Sequence, residues 1–264
     1  MYTACNRVQW IARTALLLTV VMGLALQGGW AQSKGEIIVS AAASLKNAFE
    51  ELAPIYEKQT GVRAAFNFAA SGVLQQQIET GAPVDVFASA AQKQMDDLQK
   101  KGLIDEATRK DFTGNSLVLI LPADSKHKID TFADLARPEF ARIAIGNPKT
   151  VPAGQYAEES LTNLKLWEKL RSRFIMAENV RQVLDYVSRG EVDAGLVYSS
   201  DAAIAGDKIS IVSQAPKGTH QEIIYPVAVV KDSKNSDAAK KFVDLLLGDT
   251  GRKILAKYGF AMAQ

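Results

Sequence analysis

The sequence predicts an α/β fold, with strands and helices in alternation along a chain folded into two lobes. Three observations carry that expectation. Apolar β-branched runs such as Ile37-Ile38-Val39 have the composition of strands buried on both faces. The segments between such runs repeat apolar residues at three and four positions, the spacing of one helix face. Two long apolar runs, at 117–122 and 223–230, bracket the middle third, as expected if the backbone passes between two lobes twice. There is no internal repeat, low-complexity segment or flexible linker, so the alternation reads as one α/β architecture.

The stretch 37–55 sets the pattern. After the strand at 37–39, Ala41, Ala42 and Ala43 keep bulk away from a turn, and Leu45, Ala48, Phe49, Leu52 and Tyr56 then fall on one helix face. Ser44 is the expected N-cap. It stands at the carboxyl end of a strand and the amino end of a helix, where free N–H groups and the helix dipole favour an anion. A lone serine in this position more often only caps its helix, so the convergence of other such turns on it decides its role.

The remaining elements come in chain order. Pro54 is expected to kink the first helix and Gly61 to end it, before a strand at 62–68. Ala69-Ala70-Ser71-Gly72 then leads into a short helix through Val73, Leu74, Gln77 and Ile78, so Ser71 repeats the setting of Ser44. A strand at 84–88 is succeeded by a helix over 90–101 with Met95 and Leu98 inward and Gly102 past its end. Residues 117–122 are the most apolar run after the leader, and the chain beyond them has the character of a second unit. A Thr131–Asp134 capping box opens one helix. A strand at 142–146 leads through the turn-rich loop 147–154 into a helix passing Ser160 and Leu164. Another helix begins around Glu178-Asn179-Val180, with Val183, Leu184 and Val187 on one face and Gly190 after its end. A buried strand at 193–198 ends in Tyr198, and Ser199-Ser200-Asp201 starts the next helix. Pro226, inside the run 223–230, argues for an edge strand or an interlobe crossing rather than a sheet centre. Amphipathic helices at 237–247 and 250–257 finish the chain.

The ends and the charge narrow the class. Arg7 and Arg13 precede the apolar run 15–26, and Gly29-Trp30-Ala31 offers small residues at the positions a signal peptidase reads, so 1–31 is expected to be a signal peptide removed after Ala31. The product is expected to be exported and soluble. The one cysteine, Cys5, precedes the apolar run, which leaves no lipid-modified cysteine at the cleavage point and no thiol chemistry afterwards. The 31 Lys and Arg against 29 Asp and Glu give a net charge of +2 that resides in the two leader arginines. A neutral remainder argues against nucleic acid as a partner.

Five ordered motifs then stand out: Ala-Ala-Ala-Ser-Leu at 41–45, Phe-Ala-Ala-Ser-Gly at 68–72, Gly-Asn-Ser-Leu-Val at 114–118, Val-Pro-Ala-Gly-Gln-Tyr-Ala at 151–157 and Val-Tyr-Ser-Ser-Asp at 197–201. With these the chain resembles the periplasmic molybdate-binding proteins of ABC transporters, over its whole mature length and including Tyr-Gly-Phe at 258–260. The resemblance implies a two-lobed, type II solute-binding fold with two crossover strands and a ligand cleft between the lobes. Lobe I is then expected at 32–116 plus 226–264 and lobe II at 117–225. It implies binding of molybdate, or tungstate, through two serine hydroxyls, backbone N–H groups and a tyrosine, which map onto Ser44, Ser71, Ala153, Val180 and Tyr198. It further implies no direct ligand to the metal atom, no cofactor, no enzymatic activity, a monomer in the periplasm, and an inner-membrane permease and ATPase as partners. Gly72 stands where relatives carry another small hydroxyl residue.

The residues agree in part independently, because Ser44, Ser71, Ala153 and Val180 all fall at predicted helix starts, two in each lobe. Tyr198 taken alone reads equally well as core. A secreted serine hydrolase using Ser44 or Ser71 needs a base, and His127 and His220 both lie in charged loops, with no Gly-x-Ser-x-Gly elbow present. A metal site built on Tyr156, Tyr198 and Tyr225 or on the histidines lacks any ligand spacing to support it. Another tetrahedral oxyanion, sulfate or phosphate, is the serious alternative, since four helix starts do not name the central atom.

Overall fold

The structure, a computed structural model, describes residues 35–262; the expected leader 1–31 lies outside them. The first run of elements is β1 (Glu36–Ala42), α1 (Lys46–Thr60), β2 (Arg63–Ala69), α2 (Ser71–Glu79), β3 (Val86–Ala88), α3 (Gln92–Lys100) and β4 (Lys110–Asn115). Ser116 alone separates β4 from β5 (Leu117–Pro122), which begins the second run. That run continues with β6 (Ile143–Gly146), α4 (Pro152–Asn163), α5 (Trp167–Leu170), β7 (Phe174–Ala177), α6 (Val180–Ser188), β8 (Ala194–Tyr198), α7 (Ser199–Ala205) and β9 (Ile209–Gln214). The chain then returns through β10 (Ile223–Val229), α8 (Ser236–Leu247), α9 (Asp249–Lys257) and β11 (Ala261–Met262).

Two mixed sheets result, ordered β11-β4-β10-β3-β1-β2 and β7-β6-β8-β5-β9. In the first, β2, β1 and β3 run parallel while β10 and β11 pair antiparallel. The second is parallel across β7, β6 and β8 and antiparallel where β5 joins β8 and β9. The chain passes between the sheets at Ser116 and again over 215–222, the double passage that the two apolar runs predict. Burial on both faces shows in the parity of the strands: Val86 and Ala88 face one cluster of the core, whereas Phe87 between them faces a second with Leu74, Ile78, Met95 and Leu98.

Local chemistry explains most elements. The predicted face is buried throughout, Leu45 in the turn before α1 and Phe49 and Tyr56 within it completely. The helix runs on through Pro54 and ends where Gly61 takes φ 71°, a left-handed conformation that glycine adopts at no steric cost. Phe49 is the centre of an aromatic cluster, its ring 5.6 Å from Phe242, 6.0 Å from Phe66 and 6.4 Å from Phe112. One helix and two strands of the first sheet are thereby tied to α8, which arrives from the far end of the chain.

The structure corrects several expectations. β10 lies inside the six-stranded sheet, between β4 and β3, not at an edge. Pro226 is tolerated there because the pairing with β4 shifts register between Tyr225 and Pro226, a bulge that removes the need for its missing N–H. The Thr131–Asp134 box caps only a short 3-10 turn, Phe132–Ala136, with the Asp134 carboxylate accepting from the Thr131 N–H at 3.0 Å and hydroxyl at 2.9 Å. Four strands, β4, β7, β9 and β11, and the single turn α5 go unpredicted.

Replacing Phe49 with alanine removes the centre of the aromatic cluster and is expected to cost about 3–5 kcal/mol. Urea unfolding monitored by circular dichroism checks this; a midpoint unchanged from the parent protein contradicts the assigned core.

Candidate functional site

Ser44, Ser71, Ala153, Val180 and Tyr198 all line one small cavity. The turns after β1 and β2 bring the two serines from the first sheet. The turn after β6, the start of α6 and the end of β8 bring Ala153, Val180 and Tyr198 from the second. The rest of the lining is Ala42, Ala43, Ala69, Ala70 and Ala90 with Val151, Pro152 and Asn179, so no lining side chain is charged. The small residues let backbone approach the space from both sides.

Each contributing helix turns extended backbone into helix within a residue or two of the cavity. Extended conformations stand at Ala42 (ψ 138°), Ala70 (ψ 140°), Val151 (ψ 115°) and Asn179 (ψ 171°). First-turn N–H groups such as those of Ala153 and Val180 have no acceptor within their own helix and lie at the positive end of its dipole. The expectation that Ser44 caps its helix is corrected. The capping conformation belongs to Ala42, Ser44 sits inside the 3-10 turn Ala43–Leu45 that leads into α1, and its hydroxyl makes no cap bond. Ser71 likewise is the first residue of α2, behind Ala70. Hydroxyls spent on capping are not available to a guest, and these two are not so spent.

The side chains are held by partners outside the cavity or at its rim. Ser71 Oγ accepts from the Ala90 N–H at 3.0 Å. Ser44 Oγ lies 3.0 Å from the Tyr225 hydroxyl. Tyr198 Oη is buried with no hydrogen-bond partner among the described residues, an orphan that a guest would satisfy. Burial pushes the Tyr198 and Tyr225 phenols well above their ordinary value, so both keep their protons at neutral pH. Hydrogen-bond donors from all sides and no basic side chain describe a site for a small anion held by neutral groups.

Arg181, next to Val180, stands behind this wall rather than in it. Its Nη2 donates to the Ser44 carbonyl at 3.0 Å and its Nη1 to Asn47 Oδ1 at 2.9 Å, joining α6 to the start of α1. Its Nε lies 2.5 Å from Asp201 Oδ1. Burial pushes the Asp201 carboxyl up to about 6, against the opposing pull of the Arg181 guanidinium, so the pair is ionised at neutral pH and the arginine charge is matched locally. A backbone bond, Gly72 N–H to the Thr150 carbonyl at 2.9 Å, joins the two sides of the cavity a second time. A Cβ at Gly72 would lie 2.7 Å from that carbonyl oxygen, which accounts for glycine in this place.

Three residues stand around the site that the sequence does not place there: Asn115, Arg181 and Tyr225, the last weighed only as a metal ligand. Asn115 belongs to one of the five motifs, and its place just before the crossing at Ser116 is the signal that could find it. The histidines are elsewhere. His127 is exposed with its ring 5.6 Å from Phe140, and His220 lies 5.7 Å from the Tyr156 ring. Neither lines the cavity, so neither serine has a base beside it. Among the described residues no group of three or more His, Cys, Asp or Glu is placed to hold a metal ion.

A family model described as bacterial extracellular solute-binding protein matches residues 37–261. The molybdate-binding protein ModA of Escherichia coli is 40% identical over 94% of this chain and 97% of its own. The substrate-binding domain of a putative molybdenum ABC transporter from Clostridium difficile is 45% identical, with a TM-score of 0.67, covering 88% of this chain and 100% of that one. The Azotobacter vinelandii periplasmic molybdate-binding protein superposes with a TM-score of 0.77 at 26% identity, over 86% of this chain and 100% of that one.

The Gly72 contact yields a test that needs no guest. Gly72→Val places a branched side chain against the Thr150 backbone and is expected to hold the two sides apart, raising the radius of gyration measured by small-angle scattering. A scattering curve identical to that of the parent protein contradicts the close approach.

Proposed function

Because the chain belongs to the bacterial extracellular solute-binding proteins, we propose that its cavity binds molybdate, and tungstate equally, for delivery to an ABC-type importer. It is a binding protein and not an enzyme, and its partners are the permease and ATPase of such an importer. The observation that carries the reading is the meeting of helix starts and hydroxyls from both sheets on one uncharged cavity. Ser44, Ser71 and Tyr198 supply hydroxyl hydrogens and Ala153 and Val180 supply backbone N–H groups. The first sheet with its helices is lobe I and the second is lobe II, with the bounds 32–116 plus 226–264 and 117–225 corrected at one point: Ile223–Tyr225 already pair with β4, so the return to lobe I lies before residue 223. The leader is removed after Ala31, and the protein works as a monomer in the periplasm.

Energetics require this many donors. A dianion buried without a countercharge loses its hydration and regains it only through hydrogen bonds. Each bond to a charged group contributes about 1.5–3 kcal/mol. Dissociation constants between micromolar and nanomolar correspond to about 8–12 kcal/mol, so about five donors are needed and two serines do not suffice. Because the donors come from both lobes, the guest makes more contacts with the closed arrangement than with an open one, and that difference drives closure.

Selectivity arises from rigidity. Backbone N–H groups fixed by helices do not move inward around a smaller anion. Sulfate has shorter bonds to oxygen than molybdate, and each buried donor it leaves unpaired costs about 1–3 kcal/mol. Serine oxygens that already accept a hydrogen bond are poor acceptors for the proton that phosphate carries near neutral pH.

Two measurements test the reading. In calorimetry with molybdate, Ser71→Ala is expected to weaken binding about tenfold to a hundredfold without abolishing it; an unchanged constant removes Ser71 from the site. In competition against bound molybdate, tungstate is expected to displace it at comparable concentration while millimolar sulfate does not. Displacement by equimolar sulfate moves the protein to the sulfate binders.

A further inference from the structure

We propose that Asn115 and Tyr225 form a one-way hydrogen-bond relay that fixes Ser44 as a donor into the cavity. The inference rests on the reading of that cavity as the oxyanion site and assigns two positioning residues that do not themselves line it.

The direction of every bond can be worked out from one end. Backbone N–H groups only donate, and those of Ser116 and Ser200 lie 2.9 Å and 3.4 Å from one terminal atom of the Asn115 amide, which identifies that atom as the oxygen. The Ser199 hydroxyl, 2.9 Å from the same oxygen, adds a third donor. The other end of the amide is therefore Nδ2, which has only hydrogens to offer. It gives one to Ser200 Oγ at 2.8 Å and one to Tyr225 Oη at 3.2 Å. Tyr225 Oη thus accepts from Asn115, and its own proton, kept on the phenol by burial, is assigned to Ser44 Oγ at 3.0 Å. Ser44 Oγ accepts in turn, so its single hydrogen is left for the cavity it lines.

Ser71 reaches the same state by a shorter route, because the Ala90 N–H donates to its oxygen and leaves its hydrogen free. Two serines on separate turns, each with its oxygen already engaged by a donor, direct their hydrogens into the cavity. An oxyanion without protons meets donors from both. One that carries a proton meets a hydrogen facing a hydrogen at Ser44, and this penalty is independent of anion size. Discrimination by protonation is thus written into Asn115, at the crossing between the sheets, and passed to the pocket through Tyr225.

The test is a double-mutant cycle with molybdate as the probe, in Tyr225→Phe, Ser44→Ala and the combination, together with inorganic phosphate competition at pH 7. Tyr225→Phe removes one oxygen from a buried ring. It is expected to weaken molybdate binding about threefold to tenfold in the parent background and to have no further effect once Ser44 is alanine. With the relay cut, the Ser44 hydroxyl is free to turn a lone pair inward, so the ratio of phosphate to molybdate affinity is expected to rise in Tyr225→Phe but not in the double variant. A merely structural tyrosine would not move that ratio. Equal losses from Tyr225→Phe in both backgrounds, or an unchanged ratio, overturn the relay while leaving the site in place. Full molybdate affinity in Ser44→Ala overturns the placement of Ser44 in the site itself. If Tyr225→Phe does not fold, Asn115→Ala carries the same cycle, since it removes the donor that orients Tyr225.

Discussion

Backbone N–H groups can meet at one point only if nothing stands in front of them, and that constraint governs the molecule. Six alanines around the cavity, with Ser44 and Ser71, keep the helix starts within reach of a shared space. The alternation of strand and helix delivers them there, since in a parallel arrangement each strand ends where the next helix begins. Gly72 extends the same rule to the seam, where only a hydrogen fits beside the Thr150 carbonyl. The residues that pack the core, Phe49 and its aromatic neighbours among them, are large because they are far from this point. Those beside it are small because they are not.

How far the fold is legible in the sequence depends on the kind of information each element needs. The face of α1 and the turns at Ser44, Ser71, Ala153 and Val180 depend on local spacing, and the sequence displays them directly. β4, with Lys110, Asp111 and Gly114, and β9, with Ile211 more than half exposed, have mixed composition; they are strands because of what they pair with. Pro226 misleads for the same reason, because the bulge that accommodates it is set by the register against β4. Ser44 stands at a helix start as its sequence setting indicates, yet has a different task there. The capping conformation falls two residues earlier, at Ala42, where no side chain announces it. Asn115, Tyr225 and Arg181 are hidden as neighbours of the site because only the fold joins them to it. Arg181 is 137 residues from Ser44 in the chain, and Tyr225 is 181.

Charge is handled with similar economy. The one arginine beside the cavity wall is balanced by Asp201 on its own side and uses its remaining hydrogens on Ser44 and Asn47 across the seam. A positive charge neutralised in place does not substitute for the donors lining the cavity. It serves instead to hold one wall against the other.

The crossing at Ser116 has a mechanical meaning. A connector of one residue has no length to give, whereas the returning segment 215–222 has eight residues of chain. The longer joint is not slack, because Thr219 within it is tied to α4, its hydroxyl 2.9 Å from Ser160 Oγ and its carbonyl accepting from Asn163 Nδ2 at 2.8 Å. Length there serves anchoring, whereas the single residue Ser116 fixes where the sheets meet, with Asn115 standing immediately before it.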